Sequence, residues 1–271
     1  MNSSAAFSSE TKEKVRRLTA CLEANAPLLI AYSGGVDSAY LLAAAHRTGP
    51  MLGVIADSPS LPRRALAAAL DLARAIGSPV EIIRTQEMDD PNYAGNPLNR
   101  CYFCKAELFA QLDRLARERG FAAIAYGENA DDASHFRPGG KAAAEFSVLA
   151  PLKEAGLTKA EIRSLSRELG LPTADAPAQP CLSSRIPHGT PVTPEALALV
   201  ERGESFVRSL GFQVFRVRYL FSPEGKHRAR VQIAPGEMAK IPSVEKALVS
   251  GLVAAGFGSV EIDPAGYRSP A

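Results

Sequence analysis

The sequence predicts an α/β protein: a parallel twisted sheet flanked by helices, followed by a smaller C-terminal α+β domain. Two observations predict the sheet. Strand-like and helical segments alternate four times before residue 127, which implies right-handed crossovers. The strand-like segments are also short apolar runs, as expected of strands covered on both faces. A third observation separates the second domain: beyond about residue 172 the chain becomes proline-rich, then changes to strands of alternating polarity between two helical stretches.

The elements follow in order. Residues 11–24 carry Val15, Leu18 and Leu22 at helical spacing, an amphipathic helix. The apolar run Pro27–Tyr32 is the first strand and ends abruptly at Ser33-Gly-Gly-Val-Asp-Ser38. A helix over roughly Ala39–His46 leads to a second strand, Met51–Ala56. The alanine-rich helix Leu61–Ile76 is stopped by Gly77. Val80–Arg84 is the third strand, Lys105–Arg119 a helix and Ala122–Tyr126 the fourth strand. Between them, Met88–Arg100 holds Pro91, Gly95 and Pro97 and reads as a loop over the carboxyl edge of the sheet, where ligands of such sheets bind. Pro172, Pro177, Pro180, Pro187, Pro191 and Pro194 punctuate the next stretch. The expected domains are therefore 1–172, a connection over 173–193 that carries Cys181, and 194–271. In the last, Pro194–Leu210 and Val244–Ala255 read as helices, with Val214–Tyr219, Arg228–Ile233 and Ser259–Ile262 as strands. A substrate-binding or oligomerisation role is expected there. No internal repeat is visible.

Composition narrows the class. The 271 residues are 46% hydrophobic and 22% charged, which argues against wholesale disorder, and the net charge of +2 argues against a nucleic-acid coat. The first residues lack an apolar signal region, and no apolar run approaches the roughly 18 residues of a membrane span. A cytoplasmic protein without a membrane or nucleic-acid partner is expected, as a homo-oligomer. Cys21, Cys101, Cys104 and Cys181 are too few and too unevenly spaced for a disulfide scaffold, and the Cys101-x-x-Cys104 pair points to metal, cluster or redox chemistry.

The sharpest motif is Ser33-Gly34-Gly35-Val36-Asp37-Ser38, placed between a buried strand and a helix. Two glycines let the backbone turn several N–H groups toward one anion, the helix start adds its positive dipole end, and Ser33 and Ser38 add hydroxyls. No Gly-Lys-Ser/Thr follows, so it is not a Walker loop. It resembles the PP-loop of ATP pyrophosphatases, which implies an adenine nucleotide alpha hydrolase-like fold and ATP as ligand. On that reading Ser33, Gly34, Gly35, Asp37 and Ser38 take the phosphates, Asp57 lies on the adenosine side, and Gly127 belongs to the same ATP site. Asp57 could equally cap the following helix. Glu128, Asp131 and Asp132 cluster after the fourth strand, where carboxylates beside a polyphosphate suit Mg2+. A capped acidic loop is the alternative.

Further motifs select within this class: Arg100-Cys-Tyr-Phe-Cys-Lys105, Gly127-Glu-Asn-Ala-Asp-Asp132, Phe136-Arg-Pro-Gly139, Ala150-Pro-Leu152, Gly156-Leu-Thr-Lys-Ala-Glu-Ile-Arg163, Glu168-Leu-Gly-Leu-Pro-Thr173 and Pro180-Cys-Leu-Ser-Ser-Arg-Ile-Pro187. Together, from about residue 10 to the mid-220s, the chain resembles the LarE family of ATP-dependent sulfur transferases. The resemblance implies adenylation of a carboxylate of pyridinium-3,5-biscarboxylic acid mononucleotide, then replacement of oxygen by sulfur, in nickel-pincer nucleotide synthesis. It places the sulfur-bearing cysteine at Cys181. With Cys101 and Cys104, that residue resembles the branch in which three cysteines ligate a 4Fe-4S cluster. A sacrificial Cys181 without a cluster is the alternative, and zinc or a disulfide a third.

Arg185, Arg216 and Arg218 are expected to bind the substrate's phosphate; Arg216 and Arg218 share one strand face, although alternating charge on a strand also describes a solvated face. Glu204, Lys105 and His188 receive no role, and Cys21 reads as packing. Two other functions fit the motifs less fully: an iron–sulfur-dependent tRNA thiolase and a non-catalytic adenine-nucleotide-binding protein.

Overall fold

The computed structural model describes residues 7–134, 138–222 and 227–267. In chain order the elements are α1 (Ser9–Ala24), β1 (Leu28–Ala31), α2 (Val36–Thr48), β2 (Met51–Asp57), α3 (Arg63–Ile76), β3 (Val80–Arg84), α4 (Pro91–Ala94), α5 (Arg100–Arg119), β4 (Ala123–Tyr126), α6 (Pro138–Glu145), α7 (Pro151–Glu154), α8 (Lys159–Glu168), α9 (Pro194–Ser209), β5 (Phe215–Leu220), β6 (Arg228–Ile233), α10 (Ile241–Ala254) and β7 (Ser259–Ile262). They divide into two compact units. The first comprises 1–58, 63–87 and 99–176; the second comprises 59–62, 88–98 and 177–271.

The first unit is built on a four-stranded, all-parallel sheet in the order β3-β2-β1-β4. β1 lies inside it and is buried because Leu28, Leu29 and Ile30 leave no polar side chain to solvate. Two crossovers carry the chain outward from β1 to β3, and the connection from β3 to β4 reverses direction. Helices therefore cover both faces. On one face Phe109, Leu112 and Ala116 of α5 and Ala142 and Ala143 of α6 pack with Leu29, Val54, Ile124 and Tyr126. α2 touches both α1 and α8. Its Leu41 and Leu42 are fully buried, each contributing about 1.5–3 kcal/mol. Beyond β4, Leu149 bridges Ala125 in parallel, so a fifth strand is reduced to one bridge.

The reversal at β1 creates a gap between the carboxyl ends of β1 and β4, the topological switch point where such sheets bind ligands. The Ser33–Ser38 loop leaves one side of this gap and Gly127–Asp132 the other.

The second unit carries a three-stranded sheet in the order β5-β6-β7, with β6 antiparallel to β5 and parallel to β7. Phe215, Val217 and Tyr219 point to one face of β5 and are buried, as are Ala229, Val231 and Ile233 of β6. α9 and α10 supply Leu197, Val200, Val207, Leu248 and Leu252 to the interior.

Among the element boundaries that differ from the sequence reading, two lie near the candidate site. α5 begins at Arg100, which puts Cys101 and Cys104 within it, on consecutive turns at its start. The 88–98 stretch contains α4, started by Asp90, whose carboxylate accepts the Asn92 N–H, and by Pro91 at its first position. No helix among the described residues is long and apolar enough to cross a membrane.

Candidate functional site

In the first unit the turn from β1 into α2 is made by glycine. Gly34 has φ +75°, a left-handed conformation, and a Cβ on it would sit 2.6 Å from the Ala69 Cβ of α3. Gly35 is extended and caps α2 without a side chain, so the first N–H groups of α2 have no side-chain cap. The Ser38 hydroxyl donates to the Gly35 carbonyl at 3.1 Å, accepts the Ser33 N–H at 3.3 Å and lies 3.0 Å from the Ser33 hydroxyl. Gly127 completes the cradle. A Cβ there would meet the Ser38 nitrogen at 2.7 Å, so only glycine lets the end of β4 approach the start of α2 this closely.

Asp37 stands at the centre of this arrangement. Its Oδ2 accepts from Lys159 Nζ at 2.6 Å and from Asn129 Nδ2 at 3.4 Å, while its Oδ1 is buried without a hydrogen-bond partner. Lys159 opens α8, where Thr158 and Glu161 form a capping box, and its backbone N–H donates to Asp131 Oδ2 at 2.8 Å. The neighbouring carboxylates have separate partners. Asp132 Oδ2 accepts the Asn129 N–H at 3.2 Å. Glu128 Oε2 accepts the Tyr126 hydroxyl and lies 3.4 Å from Lys153 Nζ. Asp57 pairs with Arg63 at 2.5 Å, and Arg63 also donates to the Ser58 carbonyl.

Cys101 is exposed and Cys104 half-buried, one turn apart at the start of α5. The next residue, Lys105, lies over the Tyr126 ring, 4.4 Å from its centroid. Cys181 is half-buried in the second unit. Among the described residues no three histidine, cysteine, aspartate or glutamate side chains gather to hold a metal ion. Glu128, Asp131 and Asp132, the expected magnesium ligands, share one loop and have separate partners in it. Cys101 and Cys104 belong to the first unit and Cys181 to the second, and neither unit by itself brings three thiols together. Phe136 and Arg137 of the Phe136–Gly139 motif lie outside the described residues.

The Cys181 segment is held from several directions within the second unit. Leu182 N–H donates to the Ser60 carbonyl at 2.8 Å, and the Tyr93 and Ser183 hydroxyls are 2.8 Å apart. Asn96, fully buried with φ +55°, donates through Nδ2 to the carbonyls of Pro187 and Thr190. Arg185 donates through Nη1 to the carbonyls of Pro180 and Cys181, at 2.6 and 3.0 Å, and forms a two-pronged pair with Glu204 at 2.8 and 3.0 Å. Arg218 donates to the Ser184 carbonyl at 2.6 Å and Arg216 to the Ala178 carbonyl at 3.2 Å.

Arg185, Arg216 and Arg218 thus surround residues 178–185, with Glu204 as the carboxylate beside them. Burial, and then the Arg185 charge, pull Arg216 and Arg218 below the usual guanidinium range. The structure brings the three arginines together but gives them a duty the sequence does not suggest: each holds a backbone carbonyl of the Cys181 segment.

Sequence reasoning misses Glu204, although it follows Val200 and precedes Val207 at helical spacing, on the buried face of α9. Lys159 is also legible in principle, because Thr158-x-x-Glu161 fixes it at the first position of α8. Tyr93 and Asn96 offer no such signal; their partners lie about ninety residues away.

No family model matches the chain. Among curated proteins it is 41% identical over 247 residues to an uncharacterized protein of Synechocystis sp., covering 89% of this chain and 90% of that one. It is 29% identical over 259 residues to the pyridinium-3,5-bisthiocarboxylic acid mononucleotide synthase of Lactiplantibacillus plantarum, covering 94% and 92%. An uncharacterized protein of Methanocaldococcus jannaschii is 26% identical over 245 residues, covering 90% and 92%.

Proposed function

Because the chain belongs to the LarE family, we propose that it is an ATP-dependent sulfur transferase of nickel-pincer nucleotide synthesis. Its substrate is a carboxylate of pyridinium-3,5-biscarboxylic acid mononucleotide, and its product the corresponding thiocarboxylate. The observation that carries the ATP-dependent part is the glycine-closed Ser33–Ser38 loop at the switch point, with the unpartnered Asp37 Oδ1 facing no hydrogen-bond donor.

As a PP-loop, this cradle holds ATP. The Ser33 and Ser38 hydroxyls and the first N–H groups of α2 bind phosphate oxygens, where positive helix-end charge favours an anion. Lys159 stabilises the charge that develops as pyrophosphate leaves. Magnesium fits at Asp37, whose Oδ1 is a free anionic acceptor, and would there offset phosphate charge. Asp57 and Ser58 follow β2 on the adenosine side.

The substrate's carboxylate oxygen attacks the α-phosphorus, pyrophosphate departs, and an acyl-adenylate forms. This step turns a poor leaving group into AMP. The Cys181 thiolate then attacks the acyl carbon and AMP leaves with the bonding electron pair. Removal of the Cys181 α-proton breaks its Cβ–S bond, leaving a thiocarboxylate on the product and dehydroalanine in the chain. Each chain supplies one sulfur by this route. This route takes Cys181 as the sulfur donor; in the other form of the reading, Cys101, Cys104 and Cys181 would hold a 4Fe-4S cluster whose open iron would supply sulfide in place of the Cys181 sulfur.

Pyrophosphate release tests the first half: it should require ATP together with the dicarboxylated nucleotide, and Asp37→Ala should abolish it. Release of phosphate instead would overturn the assignment. Intact mass tests the second half. Turnover should remove about 34 Da, the mass of hydrogen sulfide, from the wild-type chain and nothing from Cys181→Ser. Repeated turnover without that mass loss would transfer the sulfur to a cluster on Cys101, Cys104 and Cys181.

A further inference from the structure

We infer that Tyr267 completes the phosphate site of the second unit: it fixes the Arg216 guanidinium and donates its own hydroxyl proton to the bound phosphate. The inference rests on the assignment of Arg216 and Arg218 to the substrate's phosphate.

Three guanidiniums and one carboxylate form this cluster, an excess of positive charge that calls for an anion. Tyr267 enters it from the far end of the chain. Its ring lies on the Arg216 guanidinium, 4.4 Å from centroid to Cζ, and its hydroxyl accepts from Arg216 Nη2 at 3.0 Å. Both side chains are buried, at 6% and 8% exposure. A hydroxyl that accepts an arginine N–H keeps one proton to give. An anion on the neighbouring guanidiniums is the chemically matched acceptor for it.

The backbone is built to hold Tyr267 there. Gly266 N–H donates to the Asp263 carbonyl, and Gly266 takes φ +68°. A Cβ on it would lie 2.6 Å from the Ile233 carbonyl oxygen, which accepts the Tyr267 N–H at 2.8 Å. The same turn is tied to the second arginine. Arg218 Nε donates to Gln232 Oε1 at 2.9 Å, and Gln232 Nε2 donates to Asp263 Oδ2 at 2.8 Å. A closed circuit therefore links Arg216, Tyr267, the 263–267 turn, Gln232 and Arg218. Arg216 and Arg218, on one face of β5, are set by one device.

Calorimetric titration of the full-length protein tests this, with nicotinic acid mononucleotide and its dephosphorylated riboside as probes. The wild type should bind the nucleotide at least tenfold more tightly than the riboside. Tyr267→Phe keeps the ring on Arg216 and should cut that preference about tenfold, with riboside affinity unchanged. An unchanged or increased preference in Tyr267→Phe overturns the role of Tyr267 alone. Equal binding of both probes by the wild type overturns the phosphate assignment itself, and Tyr267 with it. Glu237→Gln is the control for stability: Glu237 accepts the N–H groups of Gln213 and Val214, away from the arginines. It should retain the full preference. If it loses as much as Tyr267→Phe, the effect is general destabilisation and the inference fails.

Discussion

The two units build their sites from different materials. In the first, the Ser33–Ser38 loop is a short-range object: six consecutive residues, two glycines, and a third glycine whose missing side chain admits the neighbouring strand end. The N–H groups that open α2 beside it carry no side-chain cap. In the second, the Cys181 segment has no regular structure beyond one 3-10 turn; Arg216 and Arg218 of β5 and Asn96 donate to its carbonyls, its own Arg185 pairs with Glu204 of α9, and Ser183 meets the Tyr93 hydroxyl. A backbone cradle tolerates most side-chain changes but not an added Cβ. A side-chain clamp behaves in the opposite way. The two units should therefore fail under different substitutions.

The largest effect should come from breaking the side-chain clamp. Glu204→Ala leaves Arg185, with its side chain 4% exposed, without its counter-charge and removes the acceptor of the Val217 N–H. Loss of one member of a buried pair costs about 3–5 kcal/mol. Urea unfolding should show that loss, while ATP affinity measured well below the unfolding transition stays at the wild-type value. A loss of ATP affinity equal to the loss of stability would break the comparison.

Gly34→Ala reverses the test. Left-handed strain together with the 2.6 Å approach to Ala69 should cost about 2–4 kcal/mol and abolish pyrophosphate release. Adding Ala69→Gly removes the overlap but not the strain, so it should restore part of the stability. Full restoration would show that φ +75° is unimportant; none would show that the overlap is.

This contrast also explains what can be read from the sequence. The strand–helix alternation, and the glycines and serines of the first loop, act on residues within a few positions of themselves, and local rules recover them. The Cys101-x-x-Cys104 pair is legible from its spacing for the same reason. The carbonyl-holding role of Arg185, Arg216 and Arg218 is not, because their acceptors are backbone atoms of a proline-rich stretch with no pattern of its own. The partners of the acidic loop are equally hidden: spacing groups Glu128, Asp131 and Asp132, while the groups they bond, from Tyr126 to Lys159, are set by the fold.

A smaller change sharpens the picture of the second unit. Tyr93→Phe removes one side of the buried Tyr93–Ser183 hydrogen bond. The expected cost is about 1 kcal/mol. Because Ser183 lies two residues from Cys181, sulfur transfer should slow several-fold while pyrophosphate release is unchanged. Equal slowing of both would mean that Tyr93 acts on the whole protein and not on the Cys181 segment.

The smallest effect tests the exception to the comparison, a long-range side-chain knot inside the first unit. Glu161 caps α8 through Thr158 and also receives Lys14 Nζ at 3.0 Å and the Thr11 hydroxyl at 3.0 Å, tying α1 to α8. Burial pushes the Glu161 carboxyl up, but the Thr158 N–H, Lys14 and the Thr158 and Thr11 hydroxyls together outweigh it and hold the group at about 2. A carboxyl lowered in the folded state stabilises the fold above its ordinary value of 4.5 and loses that contribution as pH falls toward about 2. The melting temperature should therefore drop over that acid window by more in the wild type than in Glu161→Gln, which cannot titrate. Above pH 5 the variant should be less stable than the wild type by a constant amount, since the charged bonds to Lys14 are lost at every such pH. Parallel wild-type and variant curves between pH 4.5 and 2 would show that α1 and α8 are joined by packing and that Glu161 adds nothing through its charge.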